Sequence, residues 1–295
     1  GGTLRAANNN ALGSNRGTTV INNTGTLQID TSVTLPELIT YNQGAVLTTL
    51  PAAAATLNAR QTFSNTTASG LNINIPAPAT AGSVGLNITG IIYAANGFTK
   101  SGDGILQLGA NQFTNVLDGY TTANASASLV GQILVNQGEL RLGNARALGA
   151  TGVGNETVVA AGATVDLRGQ ALNYGDDPDL SREIFRVAGA GVNGLGAIRN
   201  TSGTGQFSHL VLTGNTTLSG GGSFNGSRLD LSAYDSNVRN GSLLDGNFTR
   251  REATLEGGNS ELTILGAGAV VLHQPTFGTP LSKINVREGI LRLEM

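Results

Sequence analysis

The residues able to carry chemistry are few and scattered. His209 and His273 are the only imidazoles, and both stand in strand-like contexts, Ser208-His-Leu210 and Leu272-His-Gln274. Neither has an Asp or Glu at a spacing that suggests a triad or a metal site, which needs several converging ligands or an activated nucleophile. The densest acidic group is Asp176, Asp177 and Asp179 with Glu183. Calcium takes several oxygen ligands from a flexible loop, so these are the metal candidates; they lack the Asp-x-Asn-x-Asp-Gly cadence of a dedicated loop. A solvated turn whose Asp177 or Asp179 opens a short helix is the favoured reading of them. Asp166, Asp230 and Arg168 occupy outward slots of apolar-polar-apolar triplets, where facing carboxylates on neighbouring coils could cut a glycosidic bond. Single charges on a wet face are also what any soluble strand carries. The Gly-rich runs Gly220–Gly222 and Gly189–Gly196 resemble phosphate-binding loops only superficially, because no convincing helix follows and no Lys-Ser/Thr pair is present. Sequons such as Asn65, Asn87 and Asn215 matter only in a host that glycosylates. No catalytic set and no cofactor is expected from this inventory.

The elements that must hold these residues are short. Leu140-Arg-Leu142, Val165-Asp-Leu167, Leu210-Val-Leu212, Leu229-Asp-Leu231, Leu262-Thr-Ile264 and Leu291-Arg-Leu293 have the alternation of a strand with one face buried. Asn-Gly, Asp-Gly and Gly-Asn pairs punctuate them. Such pairs suit antiparallel hairpins too, but the strands are shorter than those of a typical sandwich and aromatics make up only 4 %.

Composition agrees. The 295 residues include 43 Gly and no Cys, and the charged fraction is 12 % with net charge -2. Recurrent Val, Ile and Thr with little net charge argue against disorder. Turn-forming Asn and Gly, with β-branched residues between them, favour an all-β chain. Scattered Lys and Arg exclude a nucleic-acid surface. No apolar run reaches the ~20 residues of a membrane-spanning helix. Without Cys there is no disulfide framework and no thiolate site. No charged-then-apolar leader stands before Gly1, so a signal peptide is expected to be removed or to lie upstream.

The chain also repeats itself. Gly2–Gly13 matches Gly138–Gly149 at seven of twelve positions, and Ile284–Leu293 matches Ile133–Leu142 at six of ten. Thr19–Ile29 parallels Thr157–Leu167, and Phe98–Leu108 parallels Leu262–Leu272. These pairs predict a chain that ends in the phase in which it began. A self-similar run of short strands implies parallel coils stacked as a solenoid, each touching only its neighbours. The expected fold is all-β: one continuous right-handed parallel β-helix over 1–295 with irregular loop insertions. At ~20 to 25 residues per coil and ~4.8 Å between coils it forms about a dozen coils and a rod near 60 Å. Residues 31–97, with four Pro and only Glu37 and Arg60 charged, are expected to be the least regular. Wide loops or a short helix at Pro51–Arg60 are expected there, and a second helical turn at Asp179–Phe185.

Residues 97–149 read GFTKSGDGILQLGANQFTN...GQILVNQGELRLGNARALG, which resembles the autotransporter-associated β-strand repeat of bacterial surface proteins. The match is strong over that unit, partial at 1–30 and 262–295, and faint between them. It departs at Leu117–Leu129, where a short turn is lengthened into an enlarged loop. The resemblance implies an exported β-helical passenger or fibre at the cell surface or outside the cell, and a scaffold in place of an enzyme. Its expected partners are copies of itself, or neighbouring repeats of one long chain, through open coil ends. Glycans or host proteins come next, for an adhesin. A β-helical carbohydrate-active enzyme is the third reading.

Overall fold

A computed structural model describes residues 1–13, 16–51, 54–117, 120–172, 183–221, 227–232, 253–273 and 275–294. The chain is an all-β solenoid of about ten turns. Each turn has three sides, because three series of short strands stack in parallel.

The first side runs through Thr3–Ala6, Thr26–Ile29, Ala45–Thr49, Leu71–Asn74, Phe98–Ser101, Ile133–Val135, Thr157–Val159 and Ile184–Gly189. It continues in the first half of His209–Gly220, then Ala253–Glu256 and Pro275–Thr279. The second side runs from Thr34–Leu35 through Ala55–Leu57, Val84–Ile88, Ile105–Leu108, Glu139–Leu142, Thr164–Asp166 and Ile198–Asn200. The second half of His209–Gly220, Glu261–Leu265 and Lys283–Val286 complete it. The third side has two blocks. Thr18–Ile21, Leu38–Asn42, Gln61–Ser64 and Ile92–Ala94 form one, and Gly203–Phe207, Ser227–Leu231, Ala269–His273 and Ile290–Glu294 the other. Between the blocks, Leu129 bridges Ala94, and Ala171 bridges Gln206.

Alternation within each strand places one aliphatic side chain above another, coil after coil. Ala55, Leu86, Leu106, Leu140, Val165, Ile198, Leu218 and Ile264 make one such column on the second side, and all are buried. Each Leu or Ile so placed contributes about 2 kcal/mol of hydrophobic stabilisation. Aromatics fill the corner where the third side meets the first. Tyr41, Phe63 and Phe98 stack edge to face with centroids 5.7 and 5.8 Å apart, and Phe185 meets Phe207 at 5.1 Å.

Several expectations are corrected. Residues 31–97 carry strands from Thr34–Leu35 to Ile92–Ala94 in parallel register. Their prolines sit beside strands and not within them: Pro36 after Thr34–Leu35, Pro51 beyond Ala45–Thr49, Pro76 and Pro78 beyond Leu71–Asn74. There the missing N–H costs no ladder bond. The helix expected over Pro51–Arg60 is replaced by the strand Ala55–Leu57, because Ala55 and Leu57 fill core positions and tertiary packing overrides local helix preference. The described part of the second expected helical turn is Glu183 followed by the strand Ile184–Gly189; residues 179–182 lie outside the described residues. The enlarged loop after Leu117 is the return strand of an antiparallel hairpin, Phe113–Leu117 with Tyr120–Ala127. Coils are also less uniform than expected, from Ile29 paired with Thr49 to Val211 paired with Glu256. Fewer turns fit the chain, and at ~4.8 Å per coil the rod is roughly 50 Å long.

The repeats do not share a phase. Glu139–Leu142 lies on the second side, whereas its sequence match Thr3–Ala6 lies on the first and its other match, Ile290–Glu294, on the third. Phe98–Ser101 and Ile105–Leu108 occupy sides one and two; Glu261–Leu265 and Ala269–His273 occupy two and three. The repeated sentence therefore encodes a corner, strand-turn-strand, and each of the three corners can accept it.

Candidate functional site

The densest chemistry lies on the outer surface of the second side, around Glu139. Parallel register puts Arg141, Asp166 and Arg199 one above another on three successive coils. Glu139 accepts from Arg141 Nε at 2.8 Å and from Arg199 Nη2 at 2.5 Å. Asp166, fully buried, lies 3.9 Å from Arg141 Nε and 3.8 Å from Arg199 Nε. Its oxygens also accept from the Thr201 hydroxyl at 2.7 Å and from the backbone N–H of Thr201 and Arg168 at 3.2 and 3.1 Å. Two carboxylates and two guanidiniums thus neutralise one another, in a site where removing one partner costs far more than a surface pair does. Single sequence slots gave no sign of the full set: Glu139 and Arg141 share one strand, but only coil stacking adds Asp166 and Arg199 to them.

The outward placement expected for Asp166 and Asp230 holds for strand parity, but both are buried. They do not align: Asp166 is on the second side and Asp230 on the third. Arg168 is not an aligned partner either; it sits in a turn with φ +49°. Burial raises the carboxyl of Asp230 above its usual range, opposed by the Arg228 guanidinium that donates to it at 2.6 Å.

Each histidine meets a glutamate from an adjacent coil. His209 Nε2 lies 2.9 Å from Glu256 Oε1 and His273 Nε2 lies 3.0 Å from Glu294 Oε2. Proximity in sequence could not reveal these pairs, which join coils and bring no nucleophile with them.

Two further groups are buried: Lys100, which was missed in the sequence, and Glu183, which was read there only as part of the acidic cluster beside Asp179. Lys100 stands at an inward position, in register between Ile73 and Val135, and is fully buried. Its Nζ donates to the carbonyls of Ser101, Gly102 and Gln137 at 3.1, 2.5 and 2.8 Å. Three N–H groups thus meet three oxygens at a corner. Burial pushes the amine down to about 7, opposed by Asp103 and Glu139. The parity of Phe98-Thr-Lys100 is the signal that points inward. The second group is Glu183. The Thr157 hydroxyl donates to its Oε1 at 2.6 Å, while Oε2 has no partner. Burial pushes this carboxyl up to about 8. Nearby Glu156 is also pushed up by burial, but hydrogen bonds from Gln132 and the Gly154 N–H outweigh this and hold it below its usual value.

The calcium candidates Asp176, Asp177 and Asp179 lie outside the described residues. Among the described residues no three His, Cys, Asp or Glu side chains converge on a metal position, and no helix is long and apolar enough to cross a membrane. The Asn65 sequon is structural: its amide is buried and donates to Thr67 and Gly97 carbonyls at 2.6 and 3.0 Å. Gly189, Gly191, Gly194 and Gly196 form a corner around a short 3-10 turn, each with positive φ.

No protein-family model matches the chain, and no curated protein or solved structure matches it significantly. Its own geometry therefore carries the functional reading.

Proposed function

We propose that this chain is a structural rod of the cell surface or extracellular space, built from repeats like those of autotransporter passengers, with coils of its own kind as its partners. One observation carries the reading: among the described residues, the charged groups that cluster are spent on one another or on the backbone, largely across neighbouring coils. Glu139 and Asp166 are neutralised by Arg141 and Arg199, His209 and His273 are paired to Glu256 and Glu294, and Lys100 is closed by three carbonyls. These contacts fix the stacking of coils and so the stiffness of a rod. A reacting site would instead leave a carboxylate or imidazole aimed at open space. The reading assigns the chain no catalytic step and no cofactor.

Negative-stain images of the native material test this directly. Slender rods or fibres at the cell surface are expected. Release of reducing sugar from a panel of polysaccharides would overturn the reading in favour of an enzyme, and a strong glycan-array hit would replace the scaffold with an adhesin.

A further inference from the structure

Glu183 Oε2 and Ser208 Oγ, on adjacent coils, are both enclosed without a hydrogen-bond partner. Both residues sit at the corner between sides three and one, each one residue ahead of its strand, Ile184–Gly189 or His209–Gly220. Ile184 pairs with His209 in parallel register, so Ser208 stands against Glu183 on the following coil. Strand parity turns both inward, since Phe185 and Leu210, two residues on, are fully buried core residues. Glu183 is 1 % exposed and Ser208 3 %, so bulk solvent does not satisfy them.

A buried polar atom without a partner is costly, and two that face one another call for a common one. The rest of the carboxyl is accounted for. The Thr157 hydroxyl donates to Oε1 at 2.6 Å, and Thr157 lies on the preceding coil, opposite Phe185. Burial pushes the carboxyl up to about 8, so at neutral pH it keeps its proton. With Oε1 accepting from Thr157, that proton sits on Oε2 and needs an acceptor on the Ser208 side. Ser208 Oγ lies beyond direct hydrogen-bonding reach, a separation that one bridging water spans. The flanking side chains offer no polar alternative: Phe207, just before Ser208, packs edge to face on Phe185 at 5.1 Å. Ala253 follows Ser208 in the same register and brings only a methyl group to the corner.

A cation fits this corner poorly. Calcium takes about six to eight oxygens, and the nearby Glu156 spends its Oε2 on the Gln132 amide and the Gly154 N–H. Among the described residues no three acidic or imidazole side chains converge on a metal position. A carboxyl that keeps its proton has no charge for a monovalent ion to balance.

We propose that one water molecule is enclosed at this corner, accepting from Glu183 Oε2 and donating to Ser208 Oγ. Thr157, Glu183, the water and Ser208 then form a hydrogen-bonded strut across three successive coils. Aliphatic columns attract without direction, whereas hydrogen bonds are directional. The strut therefore fixes an offset between coils that the columns alone leave loose. This goes beyond the structural-rod reading, which rests on other side chains and stands or falls without it.

Magnetic relaxation dispersion of water oxygen counts the long-lived waters of the whole chain, compared at neutral pH with Ser208→Ala and Glu183→Gln. Circular dichroism checks that each variant keeps its β-structure. Ser208→Ala leaves the water a single partner and is expected to lose one long-lived water per chain. Glu183→Gln keeps a donor toward Ser208 and an acceptor for Thr157, and is expected to keep the count. An unchanged count in Ser208→Ala overturns the proposal. A crystal structure of the unaltered chain decides the matter without any variant. Density for one water between Glu183 and Ser208 is expected; a direct bond between them, or a metal ion in that place, overturns the proposal.

Discussion

Gly138 and Gly289 occupy the same turn at different corners of the solenoid. A Cβ on Gly138 would stand 2.4 and 2.6 Å from the carbonyl oxygens of Gly102 and Gly104; one on Gly289 would stand 2.1 and 2.6 Å from those of Gly266 and Gly268. Both glycines have positive φ, +64° and +80°. The backbones of consecutive coils touch here with no room for a side chain.

Gly138→Ala is therefore expected to cost about 3 kcal/mol or more, combining left-handed strain with a clash against backbone. Gly289→Ala makes the same clash, in a coil whose strands are largely exposed and which can open on its own. Urea titrations should show a large loss of midpoint for the first variant. Hydrogen exchange should show loss confined to 275–294 for the second.

Lys100→Ile tests the buried amine. The sequence match of Phe98–Leu108 with Leu262–Leu272 sets Ile264 where Lys100 stands, so the shape is tolerated at a sister corner. What is lost is the bonding to three carbonyls, at about 1 to 3 kcal/mol. An unchanged urea midpoint would show that the amine contributes nothing there.

Asp166→Asn is expected to destabilise by about 3 kcal/mol, because Arg141 and Arg199 are then left to share Glu139. Adding Arg199→Met should recover part of the loss, since it removes the surplus buried charge. A double-mutant cycle by chemical denaturation measures the coupling; additive losses would mean that the residues act independently.

Glu183→Gln probes pH dependence. The folded carboxyl is raised from 4.5 to about 8 by burial, so between those values the folded chain holds a proton that the unfolded chain has released. Its stabilisation is present below pH 4.5 and is lost as pH rises through about 8. Glutamine keeps an oxygen for the Thr157 hydroxyl and cannot ionise. Melting curves from pH 5 to pH 9 should decline less steeply in the variant, and parallel curves would refute the assignment.

Much of the scaffold was legible in advance. Leu140-Arg-Leu142 and Leu262-Thr-Ile264 show their parity locally, and a self-similar chain of such triplets cannot bury its apolar faces except by stacking. The Lys100 position was legible too, had parity been weighed above charge. The Glu139, Arg141, Asp166 and Arg199 set was not, because Asp166 and Arg199 join the Glu139–Arg141 strand from two further coils whose offset depends on loops of variable length. The helix expected at Pro51–Arg60 failed for a related reason: alanines favour helix locally, but Ala55 and Leu57 gain more from a place in the core column.

By itself, the sequence determined the all-β class, the short alternating strands and the glycine turns, since these follow from neighbours a few residues apart. Only the tertiary structure decided which of three sides each repeat takes, which charges meet, and that Lys100 and Glu183 are enclosed. The physical reason is that parallel stacking couples residues one coil away. That distance varies from Ile29–Thr49 to Val211–Glu256, so the partner of a side chain is set by the path of the whole coil and not by any local spacing.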